Sequence, residues 1–426
     1  MENRFSKRKI YKMLLGIWRD AKNFFKWAIL GVSTGAIVGG ISSVFAKFMG
    51  IATDYRDEHT WVVMLLPVIG MFIVFLYDKI GREDRGTNQV ISTIRSADEV
   101  PARTAPLIFV STILTHFAGA SAGREGAAIQ LGGSVGNQIG RTLKLDENDK
   151  HVMVMCGMCS AFSAVFGTPM AAAVFAMEII SVGVMYYAAL FPCIAGALVA
   201  SNFSANLGIH PEEFYVWGIP DVTVETVIKI SIVALCCGGA SILFCIMLDK
   251  ISAFYKKYLK NPYIRVTAAS VATILITIVL DTPIYMGAGI NLISEAVEGG
   301  QTETFAFLIK MILTAICMRA GFRGGEIVPS FAIGATLGCL LGHLLNLSPS
   351  LCAATGMVAL FCGVTNCPIT SGLIAFEMFG FDGYAYYVLA VAISYAVSGY
   401  YGLYHEQTIV YSKYKAKYIN KPTIHE

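Results

Sequence analysis

The sequence predicts an all-α polytopic membrane protein built from tilted and discontinuous helices, and three observations predict it. The 426 residues are 55% hydrophobic and only 14% charged, with a mean hydropathy of +0.62, far too apolar for a soluble globule. Several apolar runs are short and interrupted by glycine or proline, the pattern of helices that break around a transport site. Two stretches of the first half recur in the second at an offset of about 200 residues, the period of a transporter whose halves enclose a site near mid-membrane.

The chain opens on a basic segment. Residues 1–26 carry Arg4, Lys7, Arg8, Lys9, Lys12, Arg19 and Lys22 among Phe5, Ile10, Leu14, Leu15, Ile17 and Trp18, which reads as a cytoplasmic amphipathic helix on the inner leaflet of the bilayer. The apolar run that follows has no small-residue cleavage site, so no signal peptide is read. Lys413, Lys415, Lys417 and Lys421 make the other end basic too, and both termini are expected in the cytoplasm of a cell whose plasma membrane holds the protein. A net charge of +3 gives no reason to expect nucleic acid as a partner.

Residues 27–207 read as a first membrane repeat. Runs 27–52 and 61–77 are long enough to span, whereas 105–118 and the helix opening at Glu125 are short for a crossing. Between them, the charged stretch 78–95 contains Gly86-Thr87-Asn88-Gln89-Val90. Runs 152–165, 169–182 and 186–203 complete the half. The connector 208–225 carries Glu212, Glu213, Asp221 and Glu225 with neither Lys nor Arg, and should face outside. A second repeat, 226–402, begins with the run 227–248 and the basic cluster Lys250, Lys256, Lys257, Lys260 and Arg265, which should face inside. It continues through 266–280, 305–318, 329–345, 351–364, 368–379 and 387–400. An odd number of crossings before the connector inverts the second half relative to the first. Residues 403–426 are expected to form a C-terminal helix and cytoplasmic tail.

The chemistry centres on Ala122-Gly123-Arg124-Glu125-Gly126-Ala127-Ala128. A carboxylate at membrane depth costs a few kcal/mol, roughly, unless it has a partner or a purpose. Flanking glycines let backbone approach a ligand, and a helix starting here aims free N–H groups and its positive dipole end inward, which makes an anion site. Glu125 could occupy that site as a carboxylate and vacate it when protonated, so that proton and anion compete for one place. The alternative is a structural ion pair with Arg124.

The repeat is specific. Pro169 and Glu178 stand at the same separation as Pro368 and Glu377 within similar apolar surroundings, and 125–132 matches 327–334. Because both halves keep a late glutamate, Glu178 and Glu377 read as helix caps or buried hydrogen-bonding groups in preference to proton relays.

These residues resemble the CLC family of chloride channels and anion/proton antiporters. Gly123-Arg124-Glu125-Gly126-Ala127 resembles its G-K/R-E-G-P motif, Gly325-Glu326-Ile327-Val328-Pro329 its G-x-F-x-P motif, and Gly86 to Val90 stands where the family has G-S-G-I-P. The likeness runs through nearly the whole membrane portion, with the motifs in the family's order. It implies a CLC-type inverted repeat of about eighteen helices, assembled as a homodimer with one pathway per subunit. On that resemblance Glu125 matches the external gating glutamate. The backbone of Gly126, Ala127, Ile327 and Val328 would face the anion from two helix starts, with Thr87 and Asn88 beside it. Tyr411 matches the central tyrosine that contacts the anion, its other reading being one more interfacial tyrosine among Tyr400, Tyr401, Tyr404 and Tyr414.

The departures narrow the expectation. Ile179 stands where chloride antiporters of the family carry an inner proton-transfer glutamate, Thr87 replaces the usual serine, and Glu326 adds a carboxylate beside Ile327. That set resembles the fluoride/proton antiporter branch, some of whose members carry a hydroxyl residue where this chain has Val328. Fluoride holds its water tightly, so a site for it needs dense donors, which helix amides, Thr87, Asn88 and Tyr411 could supply. Glu326 would be a second acid that anchors the gate or takes its proton, or else a carboxylate salt-bridged to Arg319 or Arg323. The expected function is proton-coupled fluoride export, with a chloride/proton exchanger or a passive chloride channel of the same fold as alternatives.

Other readings fall away. The eleven cysteines, Cys156-x-x-Cys159 and Cys236-Cys237 included, lack a completing His or Cys pair and read as small buried hydrophobes, so no metal or other cofactor is expected. His116 and His343 read as satisfied polar residues and Met170 and Met177 as core. An intramembrane enzyme would need a nucleophile and base converging on one pocket, and no such constellation is present.

Overall fold

The computed structural model describes residues 2–424 apart from 83 and 97, with side chains from Lys9 onward except Ile10. Arg4, Phe5, Lys7, Arg8 and Ile10 of the basic segment therefore lie outside the described side chains. Among the described residues there are sixteen α-helices, and they fall into two matching sets of eight. The first comprises α1 (Glu2–Glu58), α2 (Leu66–Lys79), α3 (Thr87–Arg95), α4 (Thr104–Ala118), α5 (Glu125–Thr142), α6 (Glu147–Phe166), α7 (Pro169–Glu178) and α8 (Leu190–Asn206). The second comprises α9 (Val224–Tyr258), α10 (Pro262–Leu280), α11 (Ile290–Val297), α12 (Ala306–Ala320), α13 (Ile327–Leu344), α14 (Pro349–Thr365), α15 (Pro368–Phe379) and α16 (Tyr384–Val397). Both α4 and α12 have 15 residues, and both α5 and α13 have 18. Among the described residues, six helical segments are long and apolar enough to cross a membrane.

Two sets of contacts show how the halves are related. Gly123 N donates to Gly325 O at 2.7 Å and Gly325 N donates to Gly123 O at 2.8 Å, an antiparallel bridge between equivalent glycines. Glu178, at the end of α7, accepts from the N–H groups of Ile369 and Thr370 at the start of α15, at 3.1 and 2.9 Å. Glu377, near the end of α15, accepts from Met170 and Ala171 at the start of α7, at 2.9 and 2.8 Å. Equivalent groups that satisfy each other reciprocally are related by a local two-fold axis, which is what oppositely oriented halves require. Both glutamates act as helix caps, as the sequence suggests, each capping the opposite half.

Within each half the helices close up through glycines. A Cβ on Gly132 of α5 would lie 2.2 Å from Gly157 O of α6, and one on Gly334 of α13 would lie 2.4 Å from Gly356 O of α14. Only glycine permits backbones that close, and small residues are the usual packing device where lipid removes the hydrophobic drive between helices.

Two segments depart from expectation. The basic N-terminal stretch is continuous with the first spanning helix, because nothing between Glu2 and Glu58 breaks the hydrogen-bond ladder. The C-terminal segment contains no helix among its described residues. It forms β2 (Thr408–Tyr411) and β3 (Tyr418–Pro422), and β2 pairs in parallel with β1 (Ser181–Val182), just beyond α7. The tail is thereby stitched under the first half. The helix opening at Glu125 also runs longer than a half-crossing, although most of it is buried.

Candidate functional site

The loops before α5 and α13 meet at the Gly123–Gly325 bridge, so two helix starts lie against each other. Neither Arg124 nor Glu326, the residues preceding those helices, offers a side-chain cap. The N–H groups of Gly126, Ala127, Ile327 and Val328 fall in the first turns, where no intrahelical carbonyl is available, and none of them bonds to a carbonyl elsewhere among the described residues. All four residues are buried. A pair of such starts concentrates positive potential in one spot.

The Glu125 side chain is fully buried there. Its Oε2 accepts from Arg124 N at 3.1 Å, and the same oxygen lies 2.9 Å from where a Cβ on Gly123 would stand. The carboxylate therefore lies beside the bridge, at the mouth of its own helix, with one oxygen on the Arg124 amide. Arg124 forms an ion pair with it and with Glu212 at once. The guanidinium hydrogen-bonds to Glu212 of the connector, while its Nε, 3.5 Å from Glu125 Oε1, makes no hydrogen bond.

Two cavities flank this point. The larger, about 600 Å³, is lined by Asp54, Arg56, Asp57, His116, Arg124 and Glu295 among others. The smaller, about 120 Å³, is lined by Thr87, Asn88, Gln130, Arg319, Arg323, Glu326 and Tyr404 among others. Arg124 lines the first and Gly324 the second, so the glycine bridge region touches both, while Glu125 itself lines neither.

The small cavity gathers most of the residues singled out from sequence. Thr87, at the start of α3, accepts a hydrogen bond from Gln130 Nε2 at 3.2 Å. Asn88 Oδ1 accepts from Glu406 N at 3.2 Å. Glu326 has Arg319 Nη1 3.9 Å from its Oε1, too long for a hydrogen bond, and Arg323 instead stacks on Tyr77 with its guanidinium carbon 3.6 Å from the ring centre. Arg319 therefore pairs with Glu326 by charge without a hydrogen bond, and the Arg323 guanidinium adds charge in the cavity that favours anions.

One expectation is corrected. Tyr411 ends strand β2, is 47% exposed, packs against Tyr418 and lines neither cavity. Tyr404 takes the place at the cavity wall. It is 3% exposed, lies within electrostatic range of both Glu125 and Glu326, and its hydroxyl hydrogen-bonds to no described residue. Sequence reasoning counted Tyr404 among interfacial tyrosines because it follows the last helix in a short irregular turn with no periodicity. Gln130 was also missed, although its position one turn into α5 was a usable signal.

Remaining residues fall as follows. Ile179 is buried and its carbonyl accepts from Gln407 Nε2 at 3.0 Å, so the tail seals that position. His343 bonds to Gly300 O at 2.8 Å, whereas His116 keeps its Nε2 without a partner. Met177 is core but Met170 is 41% exposed. All the cysteines are free thiols, and every one except Cys236 is buried.

Comparison with known proteins decides the family. Residues 69–399 match the family described as Voltage gated chloride channel. The chain belongs to that family. It is 34% identical over 397 residues to a chloride/fluoride channel protein of Pseudomonas syringae pv. tomato, covering 91% of this chain and 88% of that one. It is 25% identical over 391 residues to the H(+)/Cl(-) exchange transporter ClcA of Vibrio cholerae, covering 84% and 82% of the two chains. A crystal structure of a CLC-type fluoride/proton antiporter superposes with a TM-score of 0.87 at 31% identity, covering 90% of this chain and 98% of the other.

Proposed function

We propose that this CLC protein is a proton-coupled anion antiporter that exports fluoride in exchange for protons. The observation that carries the reading is the Glu125 carboxylate, fully buried at the start of α5, where it accepts from Arg124 N beside the Gly123–Gly325 bridge to α13. A carboxylate oxygen and a dehydrated small anion make the same demand on such a place, so each displaces the other. When Glu125 takes a proton it loses its claim on the helix start and carries that proton between the cavities. Glu326 and Tyr404 face it from the small cavity, where a second acid and a free hydroxyl can receive the swung gate or hold the anion.

Thr87, Asn88, Gly126, Ala127, Ile327 and Val328 complete the anion path in this reading, and Tyr404 replaces Tyr411. Residues 27–207 and 226–402 form the inverted halves, with 208–225 outside and both termini in the cytoplasm of a plasma-membrane homodimer. The large cavity, next to the connector residue Glu212, then opens outward and the small one inward. A buried Ile179 sealed by the tail leaves no separate acid relay at that position, and favours a proton route through the small cavity.

The test is efflux from proteoliposomes loaded with fluoride or chloride, with external pH recorded. Fluoride efflux should exceed chloride efflux and be matched by proton uptake. Glu125→Gln should abolish proton uptake while leaving some anion movement, and Glu326→Gln should slow both. Chloride efflux with proton uptake would make the protein a chloride/proton exchanger, and anion movement without protons would make it a channel. Normal proton uptake in both variants would remove the mechanism.

A further inference from the structure

The geometry points to Gln130 as the residue that aims the Thr87 hydroxyl at the transported anion, and so as a positioning residue for affinity. The inference rests on the reading above that an anion passes the small cavity. Gln130 is 4% exposed, lines that cavity and sits one turn beyond the gate on α5. Its Nε2 has two N–H groups, and both have acceptors: Thr87 Oγ1 at 3.2 Å and Gly126 O at 3.2 Å. Its Oε1 is buried without a partner. The amide cannot be turned over, because Gly126 O accepts only, and exchange of the ends would set two carbonyl oxygens against each other.

The orientation of this amide decides what Thr87 can do. A threonine hydroxyl has one proton to give and two lone pairs to receive with. Gln130 fills an acceptor position on Thr87 Oγ1. The one other described partner of the hydroxyl is Gly126 O, 3.5 Å away at the limit of a hydrogen bond, and that carbonyl's two lone pairs already face the Gln130 backbone N–H of the α5 ladder and Gln130 Nε2. The proton of Thr87 is therefore left for the cavity, where an anion lacks a shell. Without the Gln130 amide, Gly126 O would be free to draw the Thr87 hydroxyl onto itself and away from the anion.

The prediction is a coupling. Gln130→Met keeps length and removes both donors, and should raise the KM for anion about tenfold, the order expected when one hydrogen bond to a charged ligand is lost, with kcat little changed. Thr87→Val should raise it to a similar degree, and adding Gln130→Met to Thr87→Val should change nothing further. Gln130→Leu serves if the Met variant does not fold. Both fluoride and chloride are tested on the same proteoliposomes, so that if wild-type protein carries chloride in place of fluoride, the fluoride reading fails while the coupling is still read with chloride. An unchanged KM in a folded variant, or a second full loss on top of Thr87→Val, overturns the assignment.

Discussion

Replacing the reciprocal glutamates separates a cap from a proton relay. Glu377 accepts two backbone N–H groups at 2.9 and 2.8 Å, and Glu178 accepts two at 3.1 and 2.9 Å plus the Thr370 hydroxyl at 2.6 Å. Glutamine preserves shape but has one accepting oxygen, so Glu377→Gln turns one of its two bonds into an N–H facing an N–H. A hydrogen bond to a charged group contributes about 1.5–3 kcal/mol. Met170 and Ile369 are 41% and 52% exposed, so solvent reaches the first donor of each helix and the lower part of that range applies. Each Gln variant should therefore lose about 1.5–2 kcal/mol and each Ala variant roughly twice that. The double Gln variant should fall short of the sum, since each residue caps the helix that carries the other. Unfolding midpoints in detergent measure the loss, and proton uptake per anion should stay at the wild-type ratio. A Glu178→Gln protein with an unchanged midpoint and no proton uptake would refute the cap and make Glu178 a relay.

Two further outcomes test the site. Tyr404→Phe should raise the anion KM about tenfold or more by deleting a hydroxyl that binds a charged ligand, whereas Tyr411→Phe, at an exposed strand end, should stay within about twofold of wild type, as surface changes do; a reversed order would restore Tyr411 to the site. Gly325→Ala places a Cβ 2.5 Å from Gly126 N and 2.8 Å from Gly126 Cα, so the two helix starts must part. Transport should be lost along with about 1–3 kcal/mol of stability, while Gly239→Ala, with nothing within 4 Å, should behave as wild type; equal behaviour in liposome flux and melting would show that the close approach is dispensable.

What the sequence made legible follows what is local or periodic. Hydropathy and the half-chain repeat were sufficient for the helical class and the paired halves, because apolar runs and recurring Pro–Glu spacings are read along one dimension. The glutamates Glu178 and Glu377 could be read as caps, but not which helix each capped, since the partner is the equivalent helix of the other half. Tyr404 and Gln130 carry no pattern: one follows the last helix in an irregular turn, the other is polar on a helix already rich in small residues. The tail was misread as helix because residues 403–424 are short mixed stretches whose strands form only when β1, far back in the sequence, offers an edge.

On the proposed reading, the bridge between Gly123 and Gly325 also explains why the gate is an acid. It forces two helix starts together, and each presents roughly half a positive charge on amides with no carbonyl partner. Their mutual repulsion in a buried setting would be unfavourable if the place were empty, so some anion has to occupy it in every stable state. A carboxylate on the first residue of α5 is the nearest available occupant, and Arg124, which pairs with it through Nε, shares its charge with Glu212. Exchange of that carboxylate for a small anion then trades one set of charge-assisted bonds for another of similar strength, which keeps either state from becoming a trap. Protonation removes one competitor without altering the amides. On this reasoning a neutral gate such as Glu125→Gln should not leave the place vacant: it should hold a permanent anion, and fluoride should bind the variant more tightly than wild type in calorimetry at neutral pH, whereas weaker binding would mean that the carboxylate is part of the anion's own coordination.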